Sequence, residues 1–304
     1  MKGIFSNRSV WFQVGILSYL FLFGLVLSSA ITFAMNMLFG MEADPATGNA
    51  YASSFYSIHA TQFISDLFVF LLPAVGSAYL CSRTPGKFLH FRKISNIRIF
   101  ILAAFMVVLI LPTIDITSYL NQNIHLPEFM SSLEKWMYET EKNLTQITDG
   151  LLSEKGILTF TINIFMLAVM AGLTEEILFR GALLSIIRKK TTNPHIAIWI
   201  VAIIFSAIHF QFYGFIPRIL LGAFLGYLLY WSNSIWVPIF AHFVNNAMAV
   251  TGSYIGFSSV SENSMTSEIP EMETGEPIIT IVMAIVGLIL FVICAKIIKR
   301  LSRE

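Results

Sequence analysis

Long apolar runs separated by short polar segments dominate the pattern of residues along the chain. The first run, residues 11–39, is too long for the apolar region of a signal peptide, so we interpret it as an uncleaved membrane span. Later runs approach or exceed the ~20 residues that cross a bilayer, and they occupy residues 61–82, 99–120, 157–187, 196–212, 215–231, 235–253 and 277–298. The pattern predicts an all-α fold, a polytopic membrane bundle of about eight transmembrane helices.

The polar segments between these runs divide the chain into three parts. Residues 1–156 hold three spans and an outer segment that starts at Pro127 and Glu128 and follows an amphipathic helical pattern. We expect this segment to lie at the membrane surface or over the bundle. Residues 157–253 hold the next four spans. Residues 254–304 hold an acidic loop with five Glu and no Lys or Arg, the last span and a basic tail.

The composition supports a membrane protein and excludes a soluble globular one. Hydrophobic residues make up 56% of the chain and charged residues 12%, and the mean hydropathy is +0.74. A chain of 304 residues with eight spans leaves no room for a large soluble domain. The net charge of +1 does not indicate a nucleic-acid partner, and none is expected. The two cysteines have no metal-site spacing, and a disulfide framework is not expected.

Basic residues gather in alternate loops. Lys and Arg cluster at the N-terminus, in residues 83–98 and 188–190 and in the C-terminal tail, whereas the intervening loops are mainly acidic. Because cytoplasmic loops carry an excess of Lys and Arg, both termini are predicted to be cytoplasmic. We expect an integral membrane protein in contact with the lipid bilayer, and the compact loops indicate a bacterial cell membrane.

Three ionisable residues lie inside the apolar run 157–187: Glu175, Glu176 and Arg180. A charged residue at the bilayer centre costs roughly 2.5–3.5 kcal/mol even on low insertion scales, so these side chains should face a protein interior or a wet cavity. Glu176 and Arg180 are one helical turn apart and can form an ion pair. Glu175 is rotated about 100° away, which leaves it without a local partner. Glu175 is then the carboxylate that is free for chemistry. The alternative interpretation has no chemical role: a structural ion pair and one spare acid that meets another helix.

Two other predicted spans carry polar side chains at a similar depth. The fifth span contains Phe205 and His209, and the seventh contains His242 and Asn246, which share a helix face. At 1.5 Å per residue, these polar groups and Glu175 fall in the middle third of a ~30 Å hydrocarbon core. A single histidine in a span more often forms a helix–helix hydrogen bond. Convergence from three helices on one layer favours a buried site.

Other polar or small residues have structural interpretations. Asp66, Asp115 and Arg218 are expected near the outer ends of spans, where they pair with each other or reach the interface. Gly222 and Gly226 form a Gly-x-x-x-Gly pattern, which is typical of close helix packing. Four histidines in or beside loops are expected to be solvated, namely His59, His90, His125 and His195.

The three groups of residues, in this order, resemble the CAAX-protease and bacteriocin-processing (CPBP, or Abi) family of intramembrane glutamic endopeptidases. This family includes the Ras-converting CAAX endopeptidase and lysostaphin-resistance-like proteins. The matching motifs are Glu-Glu-x-x-x-Arg at 175–180, Phe-x-x-x-His at 205–209 and His-x-x-x-Asn at 242–246. Each motif alone is weak, but together, on separate predicted spans, they are specific. They span about a quarter of the chain, and the first three spans carry no recognised motif.

The resemblance implies an endopeptidase that hydrolyses a peptide bond at or in the membrane, with residues 157–253 as its CAAX-protease-like catalytic core. The substrate would be a peptide or protein that reaches the membrane. Glu175 would be the general base, and His209 would help it to bind and activate a water molecule. His242 and Asn246 would polarise the scissile carbonyl and stabilise the oxyanion.

The same resemblance assigns supporting roles to Glu176, Arg180 and Phe205. The ion pair of Glu176 and Arg180 would stabilise the helix and set the electric field around Glu175. No metal or other cofactor is expected, although a glutamate and two histidines form a zinc-ligand set and leave zinc as the alternative. The sequence lacks a His-Glu-x-x-His motif, and an asparagine suits an oxyanion hole better than zinc, so the metal-free site is favoured.

Two other functions compete with the peptidase. A non-catalytic immunity or scaffold protein could keep the same fold. A small transporter could use a buried Glu and His to relay protons, but transporters usually show internal repeats or paired spans broken by Gly and Pro, and the sequence shows neither. The complete set of motifs favours the peptidase.

Overall fold

The computed structural model describes residues 2–39, 55–94, 96–256 and 276–303, and this part of the chain is almost entirely helical, without β-strands. The all-α prediction is therefore confirmed. The longer helices, in chain order, are α1 (Val10–Phe39), α2 (Phe55–Cys81), α3 (Ile97–Gln122), α4 (Ser131–Ser153), α5 (Ile157–Ile187), α6 (Pro194–Ala207), α7 (Phe215–Ser232), α8 (Trp236–Tyr254) and α9 (Glu276–Leu301).

Six helices of the described chain are long and apolar enough to cross a membrane, namely α1, α2, α3, α5, α7 and α9. Helix α6 is apolar but has only 14 residues. Helix α8 has 19 residues and carries the polar side chains of the third motif. The polytopic helical bundle is confirmed, whereas the number of eight spans and the cytoplasmic position of the termini stay predictions.

Two glycines allow helices α6 and α7 to pack closely. A Cβ atom at Gly222 would lie 3.2 Å from the Cα atom of Ala202, and one at Gly226 would lie 2.8 Å from Cγ2 of Ile198. A larger residue at either position would push the helices apart. The structure therefore confirms the packing role predicted for the Gly-x-x-x-Gly pattern.

The basic clusters lie together at one end of the bundle. Lys189, just after α5, donates to Oε1 of Gln13 at 2.6 Å and to the carbonyl of Cys81, at the end of α2, at 3.4 Å. The ammonium group of Lys190 lies 4.4 Å from the ring centre of Trp11. The C-terminal end of α9 packs beside the start of α3 at the same end. This arrangement agrees with the charge pattern from which a cytoplasmic end is predicted.

Helix α4 lies at the opposite end of the bundle, over the loop that joins α6 to α7. The ring centre of Trp136 lies 5.4 Å from that of Phe212, and a carboxylate oxygen of Glu141 accepts from the backbone N–H of Tyr213 at 2.8 Å. Burial raises the pKa of Glu141, and the hydrogen bond from Tyr213 and the charge of Arg218 oppose this shift. The amphipathic segment predicted from the sequence is thus a helix that lies over the bundle.

The expectation that the histidines outside the motifs are solvated is wrong for His59. Its Nε2 atom lies 2.8 Å from Oδ1 of Asn163 on α5, and this hydrogen bond allows the ring to be buried. His90 is half-buried and bonded to Asn233 at 3.0 Å, and burial lowers its pKa. Most of the predicted acidic loop, residues 257–275, lies outside the described residues.

We expect a cysteine at Arg92 to react with a membrane-impermeant maleimide from the cytoplasmic side and one at Glu139 to react from the other side. Both positions are exposed, at opposite ends of the bundle. Cys81 and Cys294, which are buried, would first be replaced by alanine. Labelling of intact cells and of inverted vesicles measures each side. Reaction of both cysteines from the same side would contradict the predicted topology.

Candidate active site

Three structural elements bring the predicted catalytic residues to one cavity. Helix α5 provides Glu175, the turn after α6 provides His209, and α8 provides His242 and Asn246. All four line a cavity of about 610 Å³, which falls within the ~300–1,000 Å³ range typical of small-molecule sites. Side chains that are far apart in the sequence therefore meet on the wall of one cavity.

A buried ion pair lies behind this cavity. Nη1 of Arg180 donates to Oε1 of Glu176 at 2.5 Å, and both side chains are fully buried. Nη2 of Arg180 donates to the carbonyl of Gly222 on α7 at 2.9 Å, and the guanidinium group lies 4.5 Å from the ring centre of Phe205. The spacing in the sequence predicts the pair itself. The contacts of this pair with α6 and α7 are not predictable from the spacing and are seen only in the structure.

Two π-helical segments flank the glutamates of α5. One covers Ile164–Met170 and the other Ile177–Leu183, and the α-helical segment Ala171–Glu176 lies between them. Such segments are rare and frequently occur at functional sites, since the wider turn redirects side chains and carbonyl groups. The irregular parts of α5 therefore adjoin the residues with the candidate chemistry.

Glu175 and His209 face each other across a short gap. Oε2 of Glu175 and Nε2 of His209 are 4.0 Å apart, which is long for a direct hydrogen bond and suits a bridging water. Nδ1 of His209 lies 2.7 Å from the carbonyl of Phe205, which can only accept, so Nδ1 carries the hydrogen. Neutral His209 then presents a lone pair at Nε2. The two side chains thus offer two acceptors to one water molecule.

His242 is held by Glu176, a contact that reasoning from the sequence missed. Its Nδ1 atom lies 3.0 Å from Oε1 of Glu176, the same oxygen that binds Arg180. An ionised carboxylate only accepts, so Nδ1 of His242 is the donor. Since His242 lines the cavity, Nε2 is the ring nitrogen left for a ligand. The separation of 66 residues between the two partners gives no local signal that could have indicated this contact.

Asn246 is oriented by two hydrogen bonds. Its Nδ2 donates to the carbonyl of Leu167, in the first π-helical segment of α5, at 2.8 Å. Its Oδ1 accepts from Nδ2 of Asn245 at 3.1 Å, and both asparagines line the cavity. In a helix, Asn245 points about 100° away from Asn246. From this geometry alone, Asn245 would have no part in the site. The contact shows that it supports its neighbour.

Phe205 lies at the centre of the aromatic contacts. Its ring centre is 4.9 Å from that of His209 and 6.2 Å from that of His242. Phe179 packs against it edge-on at 5.1 Å, and the guanidinium group of Arg180 covers it. Phe205 thus contacts both histidines and the ion pair, as a supporting residue would.

Arg218 lies near the end of its span, as expected, whereas Asp66 lies well inside α2; the surroundings of both residues include the cavity. Arg218 lines the cavity and donates to Oε1 of Gln211 at 2.5 Å and to its carbonyl at 3.3 Å. Asp66 is buried and accepts from Nε2 of Gln62 at 3.0 Å, and Gln62 also lines the cavity. The ion pairs among the described residues include none of Asp66, Asp115 and Arg218, so the expectation that these residues pair with each other is wrong. Asp115 is exposed, as expected for a residue that reaches the interface.

A zinc ion would need Glu175, His209 and Nε2 of His242 to converge on one point. In the part of the chain that the structure describes, no three His, Cys, Asp or Glu side chains are arranged to hold a metal ion. Glu175 and His209 approach each other and provide two ligands. The metal-free site stays the prediction, with zinc as the alternative.

Comparison with known proteins agrees with the motifs. Residues 157–248 match the family described as "Type II CAAX prenyl endopeptidase Rce1-like". A protein from Bacillus subtilis (strain 168), named "Uncharacterized protein YpbD", is 29% identical to the chain over 119 residues. This alignment covers 38% of the chain and 57% of that relative, so the chain spans little more than half of the relative's length. No solved structure matches the chain significantly.

These matches confirm the family resemblance that the motifs predict. The matched segment runs from the start of α5 into α8 and includes every motif residue. Together with the six apolar helices, it identifies an integral membrane protein. The bacterial relative agrees with the expected bacterial source.

Replacing Arg180 by alanine is expected to destabilise the protein by about 3–5 kcal/mol, because Glu176 would remain buried without its partner. Glu175→Gln, on the cavity surface, should leave the folded yield unchanged. Arg188→Ala is the control, since it removes an exposed cation just after the same helix. Thermal unfolding and the yield of monodisperse protein measure the difference. A stable Arg180→Ala variant beside an unstable Glu175→Gln variant would reverse the assignment of pair and base.

Proposed function

We propose that this protein, which shares the motifs of the CAAX prenyl endopeptidase family, is an intramembrane endopeptidase that uses water activated by Glu175 and His209. The observation that carries the proposal is the 4.0 Å separation of Oε2 of Glu175 and Nε2 of His209 on the cavity wall. Two acceptors at this distance can bind both hydrogens of one water and direct its lone pairs into the cavity. The ion pair with Arg180 keeps Glu176 from acting as a second base.

Glu175 acts as the general base in this mechanism. Its carboxylate takes a proton from the water as the water oxygen attacks the carbonyl carbon of the scissile bond. Protonated Glu175 then gives this proton to the leaving nitrogen when the C–N bond breaks, which regenerates the carboxylate. His209 accepts the second hydrogen of the water and orients it for attack.

His242 and Asn246 provide donors to the oxyanion that forms during attack. Asn246 keeps one Nδ2 hydrogen after its bond to the carbonyl of Leu167. Nδ1 of His242 already donates to Glu176, so His242 can donate from Nε2 only in its protonated form. The contact between Glu176 and His242 is therefore part of the proposed mechanism.

The substrate would enter at the end of the bundle that α4 covers. The cavity is lined between the motif residues and that end by Ser118, near the end of α3, and by Thr148 and Leu152 on α4. A peptide or protein segment held at the bilayer surface would pass beneath α4 to reach Glu175. The family description names a prenyl endopeptidase, and a prenylated segment is one substrate that the membrane would deliver in this way.

Glu175→Gln is expected to lower cleavage by about 10²–10⁴-fold, the usual contribution of a general base. Uncleaved substrates should then accumulate in the membrane fraction. Quantitative proteomics of peptide termini would compare cells that carry the wild type, Glu175→Gln, or the control Glu139→Gln, which changes an exposed acid on α4. A Glu175→Gln variant that leaves the profile of peptide termini unchanged at equal abundance would reject Glu175 as the base. The same unchanged profile in cells that lack the protein would favour the non-catalytic scaffold.

Cleavage is expected to survive metal chelators and to decline at acidic pH, because protonated Glu175 cannot take a proton from water. Glu175 and His209 form a coupled acid–base site, so either could cause the decline. Comparison of pH profiles for Glu175→Asp and His209→Gln separates them, since only a change in the responsible group shifts the profile. Loss of activity with chelator and recovery with Zn²⁺ would replace this mechanism by a zinc site of Glu175, His209 and His242.

A further inference from the structure

An apolar groove lies on the side of the bundle, separate from the cavity of the candidate active site. It has a volume of about 580 Å³ and lies between α3, α5 and α8. None of the side chains that line it lines the other cavity. They are all aliphatic or aromatic, namely Phe100 on α3, Val169 and Leu173 on α5, and Trp236, Ile239, Phe240 and Phe243 on α8.

The floor of the groove forms where α5 and α8 approach each other at a glycine. A Cβ atom added at Gly172 would lie 3.2 Å from the backbone nitrogen of Phe243. The larger side chains of Leu173 and Phe243 lie beside this contact and line the groove. On the other side, the ring of Phe240 packs edge-on against that of Phe100 on α3, with 5.5 Å between the ring centres. The groove therefore follows the junction of the two helices that carry the first and third motifs.

The groove runs along α8 from the basic end of the bundle towards its middle. Trp236 begins α8 and is 42% exposed, and Phe243 lies about two turns deeper. Seven residues at ~1.5 Å each cover about 10 Å. The hydrocarbon of one leaflet is ~15 Å deep, half of a ~30 Å core. An apolar groove of this length and direction, on a side of the bundle that faces the bilayer, fits the acyl chain of a lipid.

Cations lie at the open end of this groove. The ring centre of Phe91 is 5.6 Å from that of Trp236, and Oγ of Ser234, just before α8, donates to the carbonyl of Arg92 at 2.5 Å. These contacts place the segment between Phe91 and Phe100 beside the start of α8. The segment carries three exposed cations: Arg92, Lys93 and Arg98.

The protein supplies no acid to balance these charges in the part of the chain that the structure describes. The ion pairs within 4.0 Å among the described residues include none of the three cations. Residues 2–9, 82–98, 188–195 and 296–303, which form the basic end, contain no Asp or Glu. The phosphate of a phospholipid lies at the membrane surface directly above its own acyl chains. An anionic phospholipid therefore brings both the chain that fits the groove and the charge that the cations lack.

We infer that the groove binds one anionic phospholipid from the leaflet at the basic end of the bundle. An acyl chain lies along α8, and the headgroup lies against the three cations of the segment 92–98. The lipid contacts α3, α5 and α8 together and stabilises the junction between the first and third motifs. A zwitterionic lipid offers the same chain, but its own cationic group competes with the protein for the phosphate. This inference does not depend on the proposed reaction.

The test uses Trp236 as a reporter, because bromine on an acyl chain quenches tryptophan fluorescence on contact. Full-length wild-type protein and Trp236→Phe are reconstituted into phosphatidylcholine vesicles, and the difference in their emission isolates Trp236. An increasing fraction of the lipid is replaced by brominated phosphatidylglycerol or, in a parallel series, by phosphatidylcholine with the same brominated chains. We expect phosphatidylglycerol to bind about fivefold more tightly, which corresponds to the ~1 kcal/mol of one Lys or Arg near an anionic surface. High salt should reduce this preference.

Two triple variants assign the preference to the groove. The first removes the cations beside it: Arg92→Gln, Lys93→Gln and Arg98→Gln. The control removes three exposed cations at the same end of the bundle, beside α1: Lys2→Gln, Arg83→Gln and Lys190→Gln. The first variant should be quenched equally by both lipids, and the control should keep the preference.

Three outcomes would overturn the inference. Equal quenching of the wild type by both lipids would show surface lipid without a specific site. Absence of quenching by either lipid would show that another occupant, such as a second copy of the chain, covers the groove. A preference that survives the loss of the three cations would place the anionic lipid elsewhere. The comparison of lipids on the wild-type cations does not depend on how well a triple variant folds.

Discussion

The ion pair of Glu176 and Arg180 is the interaction on which the rest of the site depends. It joins four helices, because Glu176 also binds His242 on α8, and Arg180 also binds the carbonyl of Gly222 on α7 and the ring of Phe205 on α6. A charge pair removed from water costs free energy that its contacts offset only in part, and Nε of Arg180 and Oε2 of Glu176 are buried without a hydrogen-bond partner. We therefore interpret the pair as a constraint that selects one packing of these helices. The position of His242, which Glu176 binds, follows from that packing.

Features that depend on local spacing were predictable from the sequence. Glu176 and Arg180 pair because a helix places residues four apart on one face, and Gly222 and Gly226 allow close packing because they share a face in the same way. The same spacing leaves Glu175 apart from its neighbour and free to meet the cavity. Periodicity and the cost of buried charge were sufficient for these predictions.

Features that depend on contacts between helices were not predictable in this way. The bond between His242 and Glu176 joins positions 66 residues apart, and the proximity of Arg218 to the cavity depends on how α7 approaches α5. His59 was misplaced because a partner on α5, Asn163, allows it to be buried. Hydropathy also extended the fifth span to residue 212, since an apolar turn and an apolar helix have the same composition.

Because α6 ends early, the peptide groups of the loop that follows it need hydrogen-bond partners. The 14 residues of α6 cover about 21 Å, less than a ~30 Å hydrocarbon core. Irregular backbone at membrane depth is tolerated only inside protein or beside a water-filled space. Asn121 and Glu141 satisfy part of the loop that follows, at the carbonyl of Phe212 and the N–H of Tyr213. If the cavity holds water, that water solvates the remaining peptide groups of this loop, and it is also the reservoir from which a hydrolase would take its second reactant.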